Sequence, residues 1–409
     1  MDKPKLLYIA PQNPYPPENG GKIGIYYPAK YLAKYFDLYF VTPYNITNCN
    51  VDISIEHFNK LNIKYFPFML NTDDKLFDLL LNPFNKIPFK WYKYHSDDLY
   101  NFCKNLISTE NINFVYTSTP HMSYYSLLLK NHFPNLKIFL REHNIEFSLV
   151  EQFLIFSRNP IHKIIAKWQL KKSKKMELKY WELFDKIFFI SDSDYNIAIK
   201  YRPNLKQKFH ILYDGFEISP NTLGVYNPEN KFIITANLKS PQNKICIKWF
   251  IENIWLPSLE YLKKNNFGLS ITGCTINEFE NLLNLGNLEQ YNINILGFVN
   301  NIDEVIRKHK YVISPTIMGS GLRIKILHSM SLSKVIFATS YDINSVNVLK
   351  DMENIIEFND YNSFIEKLKI IENNLDLYQK IENNALNTVT KNFNWEIYAK
   401  IIYNQFLNN

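Results

Sequence analysis

The sequence predicts an α/β protein made of two Rossmann-like, doubly wound parallel-sheet domains that face each other across a cleft. Three observations lead there. Short β-rich apolar runs alternate with longer helical patterns, the order expected of βαβ units. The runs are apolar almost throughout, so both faces of each sheet are covered. They also fall into two groups of similar size, parted at 219–230 by the aperiodic, Pro-, Gly- and Asn-rich stretch SPNTLGVYNPEN.

The first group of strands is expected at 6–10, 38–42, 114–117, 137–140, 186–190 and 209–212. The second is expected at 232–236, 269–272, 293–296, 311–314, 335–338 and 355–358. A chain of 409 residues is long for a single core, which agrees with two domains. In such sheets ligands bind at the carboxyl ends of the strands, here in the cleft.

With 46% apolar and 21% charged residues, the chain is of ordinary globular composition and is not disordered. Its formal net charge of +7 suits anionic partners such as phosphates, nucleic acid or an acidic lipid surface. The four cysteines, Cys49, Cys103, Cys246 and Cys274, form no CxxC pair, so neither a zinc ribbon nor a disulfide framework is expected. The apolar stretch at 6–10 is too short for a secretion signal, and no run is long enough to span a bilayer. A cytoplasmic protein is expected, with possible peripheral contact at the inner face of the cytoplasmic membrane.

Six stretches could carry chemistry. In the loop 11–22, Gly20 and Gly21 stand just before a helical pattern at 23–36. Their backbone N–H groups could approach a phosphate or sugar; a plain helix-entry turn is the alternative. After the strand at 311–314 comes PTIMGSG and then LRIKILHSM. Gly319, Ser320, Gly321 and Leu322 thus open a helix whose first turns carry Arg323 and Lys325. The positive helix end and the planar guanidinium suit a diphosphate; a solvated basic helix end is the bland alternative. Phe298 and Val299 follow the strand at 293–296, where a flat base could lie, although Phe is more often core.

Glu142 and His143 stand in REHNIE at the end of the strand at 137–140, well placed for acid–base work, or else part of a structural loop. Ser191-Asp192-Ser193-Asp194 contains a literal DxD, but Ser and Asp before a helical stretch are ordinary N-caps, and no metal is expected. The stretch 163–179 carries seven lysines interleaved with apolar residues, either a solvated helix face or a surface for an acidic membrane.

Taken together, these residues resemble the GT-B, family-4-type glycosyltransferases (glycosyl transferases group 1). The resemblance rests on the opening LLYIAPQNPYPPENGGKIGIYYPAKYLAK, on REHNIE, FDKIFFISDSD, ILYDGFE and INILGFVNNIDEVIRKHKYVISP, and above all on GSGLRIKILHSMSLSKVIFATS. It implies an acceptor-side domain at 1–218, to which 391–409 crosses back, and a donor domain at 219–390. It further implies that Gly319, Ser320, Gly321 and Leu322 hold a donor diphosphate, neutralised by Arg323 or Lys325. Phe298 and Val299 would meet the base, Asn237 and Lys244 the phosphates, and Gly20, Gly21 and His143 the donor from the other domain.

The implied activity is transfer of a sugar from a nucleotide-diphosphate sugar to a glycan or lipid-linked acceptor in surface polysaccharide biosynthesis. Retention of configuration and no metal or other cofactor are implied with it. This sequence departs from the family's Glu-x7-Glu pair, with Ser320 and His328 at those positions. A neutral His has one donor and one acceptor, so His328 would meet a ribose differently from a carboxylate. The alternative is a non-catalytic binding or scaffolding protein on the same fold. Nucleic acid is not an expected partner, because the lysines are spread along the chain and no nucleic-acid motif appears.

Overall fold

The computed structural model describes residues 3–45, 51–73, 87–157, 159–217, 228–318 and 324–407. The chain forms two compact units, Met1–Gly215 together with Trp395–Asn409, and Phe216–Asn394.

Unit 1 is built on seven strands: β1 (Lys5–Ile9), β2 (Asp37–Tyr44), β3 (Lys64–Met69), β4 (Phe114–Ser118), β5 (Lys137–Glu142), β6 (Lys186–Phe189) and β7 (Phe209–Ile211). Their order is β3-β2-β1-β4-β5-β6-β7, and every pairing is parallel. Parallel neighbours need crossover helices, and these cover both faces of the sheet. Successive residues of β1 accordingly enter different cores. Leu7 and Ile9 join Val115, Ile138 and Leu140 on one face. Leu6 and Tyr8 join Tyr116, Phe139 and Phe188 on the other.

Of these strands the sequence reading missed only β3, whose run KYFPFM contains Pro67. Proline cannot donate to a ladder and so argues against a strand. β3 escapes this objection because it is an edge strand, paired to β2 alone.

Unit 2 holds six parallel strands: β8 (Glu229–Thr235), β9 (Gly268–Thr272), β10 (Ile293–Gly297), β11 (His309–Ser314), β12 (Val335–Ala338) and β13 (Ile356–Glu357). Their order is β10-β9-β8-β11-β12-β13. The core is aromatic at its centre, where Phe232 stacks on Tyr311 with ring centroids 5.0 Å apart.

The chain returns to unit 1 for its last helix, Trp395–Leu407. Trp395, Tyr398, Ala399, Ile402 and Phe406 form its buried stripe, at the i, i+3, i+4, i+7 spacing of a helix with one apolar face. Tyr398 and Tyr116 share a hydrogen bond of 2.5 Å between their hydroxyls. Glu396 accepts from the Tyr35 hydroxyl at 2.7 Å. Gly215, where the chain leaves this unit, lies flat against Trp395. A Cβ there would come within 2.4 Å of the indole and 2.5 Å of the Trp395 backbone nitrogen.

Gly215→Ala is therefore expected to lower the unfolding free energy by about 1–3 kcal/mol, the range for forced overpacking. Gly268→Ala, whose methyl meets nothing closer than 3.6 Å, serves as the control in the same urea titration.

Candidate functional site

In unit 2, β8 and β11 lie side by side, but the chain winds away from them in opposite directions. β9 and β10 follow on the far side of β8, and β12 and β13 on the far side of β11. The connections leaving their carboxyl ends diverge, and a concavity remains between them. It spans about 350 Å³, part of it open to solvent. Ile234, Ala236, Ile247 and Met318 supply apolar lining, and Gln242, Asn243, Thr316 and Lys325 supply polar groups.

The walls are fixed by hydrogen bonds. At the end of β11, Ser314 donates to the Asp342 carboxylate at 2.5 Å, and the Thr339 hydroxyl donates to the Thr316 carbonyl. After β9, Gly273 takes φ +78°, and a Cβ there would sit 2.4 Å from the Ala236 carbonyl oxygen. Only glycine lets this turn pass so close to the segment that lines the concavity. The Gly273 N–H then donates to the Gly297 carbonyl at 2.7 Å, tying the β9 and β10 exits together.

Gln242 and Asn243 stand in the first turn of the helix Pro241–Phe250, and Lys325 in that of the helix Ile324–Ser331. Two helix N-termini with a lysine favour an anion. The expected diphosphate loop, Gly319, Ser320, Gly321, Leu322 and Arg323, lies outside the described residues. Asn237 and Lys244 border the concavity in sequence but do not line it. Asn237 closes the turn before the helix. Its side chain accepts from the Lys239 N–H at 2.9 Å, and its carbonyl accepts from Asn243 at 2.8 Å. Lys244 is exposed on the helix surface. Gln242, Asn243 and Thr316 were missed by the sequence reading. The first two could have been found, since they follow a strand at a helix start in PQNK.

His328 lies one turn after Lys325 on the same helix. Its Nε2 is 2.6 Å from Asp303 Oδ1, and its ring stacks on Phe216 with centroids 5.5 Å apart. Asp303, in the first turn of the helix Ile302–Lys308, was not foreseen. A single ring nitrogen thus recruits a carboxylate, which keeps lone pairs for further donors. Phe298, expected to be core unless it served a base, is 63% exposed, and Val299 beside it is half-buried.

In unit 1, Gly20 and Gly21 lie within the first turn of the helix Gly20–Leu32 rather than before it, both exposed. Asn19 caps that helix by accepting from the Lys22 N–H at 3.0 Å. Ser191 caps the helix Asp192–Tyr201 by accepting from the Asp194 N–H at 3.2 Å, so the DxD is a helix start.

His143 sits beyond β5 beside Arg141, a side chain with no exposed surface. Arg141 donates to the Gly24 carbonyl, to the His143 ring at Nε2, and to the Asp214 carboxylate. Ser118 Oγ also lies 2.8 Å from His143 Nε2. Arginine can only donate, so Nε2 is an acceptor and the neutral ring carries its proton on Nδ1. Burial first, then the charges of Arg141 and His121, hold His143 well below the usual histidine pKa. The expected acid–base role is corrected on this point: the Nε2 lone pair is already engaged. Asp214, in the stretch ILYDGFE, is the buried counterion of Arg141.

Glu142 is corrected more fully. Strand alternation sends it to the opposite face of β5 from Arg141, where it has no exposed surface and therefore cannot touch a substrate. It accepts from Trp181 Nε1 at 3.4 Å and faces Glu177, which accepts the Glu146 and Phe147 N–H groups at 2.9 and 3.0 Å. Burial, reinforced by Glu177, raises the Glu142 pKa well above the carboxylate range, and burial pushes Glu177 up to about 7.

The folded pair therefore keeps a proton that the unfolded chain releases at the ordinary carboxyl pKa. Its stabilising contribution is complete at low pH and is lost as pH rises through about 7. Glu142→Gln should flatten this fall in unfolding free energy between about pH 5 and about pH 8 relative to the parent, as read by urea titrations across the range.

The sequence profile of the family described as Glycosyl transferases group 1 matches residues 229–374, which contain the whole switch-point concavity. No curated protein sequence matches the chain significantly. Among solved structures, a glycosyltransferase from Rickettsia africae matches with TM-score 0.65 and 17% identity over 100% of both chains. HepE from Anabaena, in complex with UDP, matches with TM-score 0.64 and 12% identity, covering 99% of this chain and 100% of that one. WaaG, a glycosyltransferase involved in lipopolysaccharide biosynthesis, matches with TM-score 0.63 and 11% identity over 99% of this chain and 100% of its own. At these identities the likeness shows the fold. The full-length likenesses show a GT-B fold, and within it residues 229–374 are similar to the glycosyl transferases of group 1.

Proposed function

We propose that the protein transfers a sugar from a UDP-sugar to a glycan or lipid-linked acceptor in the synthesis of a surface polysaccharide. The observation that carries the reading is the concavity between the β8 and β11 exits, edged by Lys325 and lying inside the family-matched residues. UDP in the structure of HepE supports the nucleotide, and the lipopolysaccharide role of WaaG supports the class of acceptor.

In this reading Lys325, with Arg323 and the backbone of Gly319, Ser320, Gly321 and Leu322, receives the diphosphate. Asn237 and Lys244 flank it, Phe298 and Val299 receive the base, and the Asp303 carboxylate held by His328 receives the ribose hydroxyls. Asp303 would thereby supply the acidic acceptor that Ser320 and His328 no longer provide. Transfer would proceed with retention and without a metal, positive side chains stabilising the leaving diphosphate. Unit 1 is assigned the acceptor, with His143 lining the sugar site.

A thermal-shift panel of UDP, GDP, ADP, CMP and their sugar conjugates tests this, because a ligand of the folded state raises the melting temperature according to its affinity. UDP and one of its sugars should give the largest shift. No shift with any nucleotide, from folded protein, would favour a binding or scaffolding protein that has lost turnover. Lys325→Ala should weaken UDP binding by about tenfold or more in calorimetry, since a charge-assisted contact is worth roughly 1.5–3 kcal/mol. Asp303→Asn should weaken UDP binding but leave binding of 2′,3′-dideoxy-UDP unchanged.

A further inference from the structure

The helix Pro160–Leu183 of unit 1 carries a surface that sugar transfer does not require. Its inner side is ordinary, with Ala166, Ser173, Glu177, Leu178 and Trp181 buried. Its outer side is not. Ile161 is 65% exposed, Ile164 56% and Trp168 51%. At 3.6 residues per turn these three fall on one stripe, and Lys171, Lys175 and Lys179 continue the same stripe towards the carboxyl end, all within about 80° of arc. Lys167 stands at its margin, and all four lysines are exposed. The preceding helix, Glu146–Phe156, adds Ile155 at 74% exposure beside it.

The helix has only two carboxylates, and neither offsets the stripe. Glu177 is buried under the helix, and Glu182 accepts from Arg202 at 3.2 Å. An apolar patch holding a tryptophan, continued by a row of lysines, has the composition of a helix lying in a bilayer interface. The indole suits the headgroup level, and lysine stems can lie along apolar surface while their ammonium groups reach anionic headgroups. A second copy of this chain fits poorly, because a two-fold contact across the stripe would set lysines against lysines if the helices ran parallel and would bury them against the apolar patch if antiparallel. No helix among the described residues is long and apolar enough to cross a membrane, so attachment by this face is to the surface.

We propose that this helix docks unit 1 on the surface of a bilayer rich in anionic lipid, with Ile161, Ile164 and Trp168 in the interface and the lysines on the headgroups. The inference is independent of the proposed transfer reaction, since its readout involves no nucleotide.

The test is co-sedimentation of the full chain with vesicles of phosphatidylcholine alone, or of phosphatidylcholine and phosphatidylglycerol in equal parts. The protein should partition onto the mixed vesicles at least about tenfold better than onto the neutral ones, and high salt should erase most of the difference. Ile164→Ser with Trp168→Ser should lower partitioning at least about tenfold, as should Lys167→Glu with Lys171→Glu and Lys175→Glu. The charge-matched control Lys263→Glu, Lys264→Glu, Lys391→Glu should keep it. Circular dichroism and the melting temperature confirm that each variant is folded. No partitioning onto mixed vesicles overturns the proposal, as does partitioning that neither helix variant reduces or that the control reduces equally. Concentration-dependent dimerisation abolished by the Ile164→Ser, Trp168→Ser variant would assign the face to a second copy instead.

Discussion

A parallel sheet that winds both ways from its centre must leave a gap where the directions part, and the concavity of unit 2 is that gap. Right-handed crossovers carry the chain from β8 to β9 and β10 over one face, and from β11 to β12 and β13 over the other. No crossover can cover the ends of β8 and β11. What fills the space is set by the first residues after each strand and by the helix starts they lead to. Ala236, Gln242 and Asn243 come from one side, and Thr316, Met318 and Lys325 from the other. Gly273 matters here although it does not line the space, because any side chain would push the β9 exit into the Ala236 carbonyl.

Strand alternation organises unit 1 in a comparable way, but for buried charge. Consecutive residues of β5 carry opposite formal charges into opposite cores. Arg141 goes to the face covered by Tyr116 and Tyr398, and is neutralised by Asp214. Glu142 goes to the face covered by Trp181, and is kept uncharged beside Glu177. A buried cation needs a counterion, whereas a buried carboxyl can take up a proton instead. Each face uses the option its residue allows. His143, two residues on from Arg141, inherits its protonation from this arrangement, since the guanidinium at Nε2 fixes the tautomer. Arg141, Asp214 and Gly24 therefore shape what His143 can offer.

The helix Pro160–Leu183 shows the two faces of one element under different demands. Its inner residues obey the packing of the sheet, while Ile161, Ile164 and Trp168 on its outer side stay more than half exposed.

How much of this was legible in the sequence depends on the range of the interaction involved. Strands with continuous apolar runs were readable, because burial on both faces leaves a signal in each residue, and the helix cap at Ser191 is local as well. β3 was hidden because Pro67 is unfavourable in a strand except at an edge, and only the assembled sheet says which strand is an edge. Lys325 and the two helix starts around the concavity were marked by glycine, proline and charge close in sequence. Asp303 beside His328, and Asp214 beside Arg141, are pairs separated by 25 and 73 positions, and no local pattern joins them. Glu142 looked reactive because it follows a strand next to a histidine, but the side to which its carboxyl points is decided by the pleat and by which helix covers that face. The sequence alone thus determined the periodicity, the caps and the order of elements, which depend on neighbours in the chain. The tertiary structure decided the protonation of His143, the partners of the buried charges and the carboxylate at His328, because these depend on groups that only folding brings together.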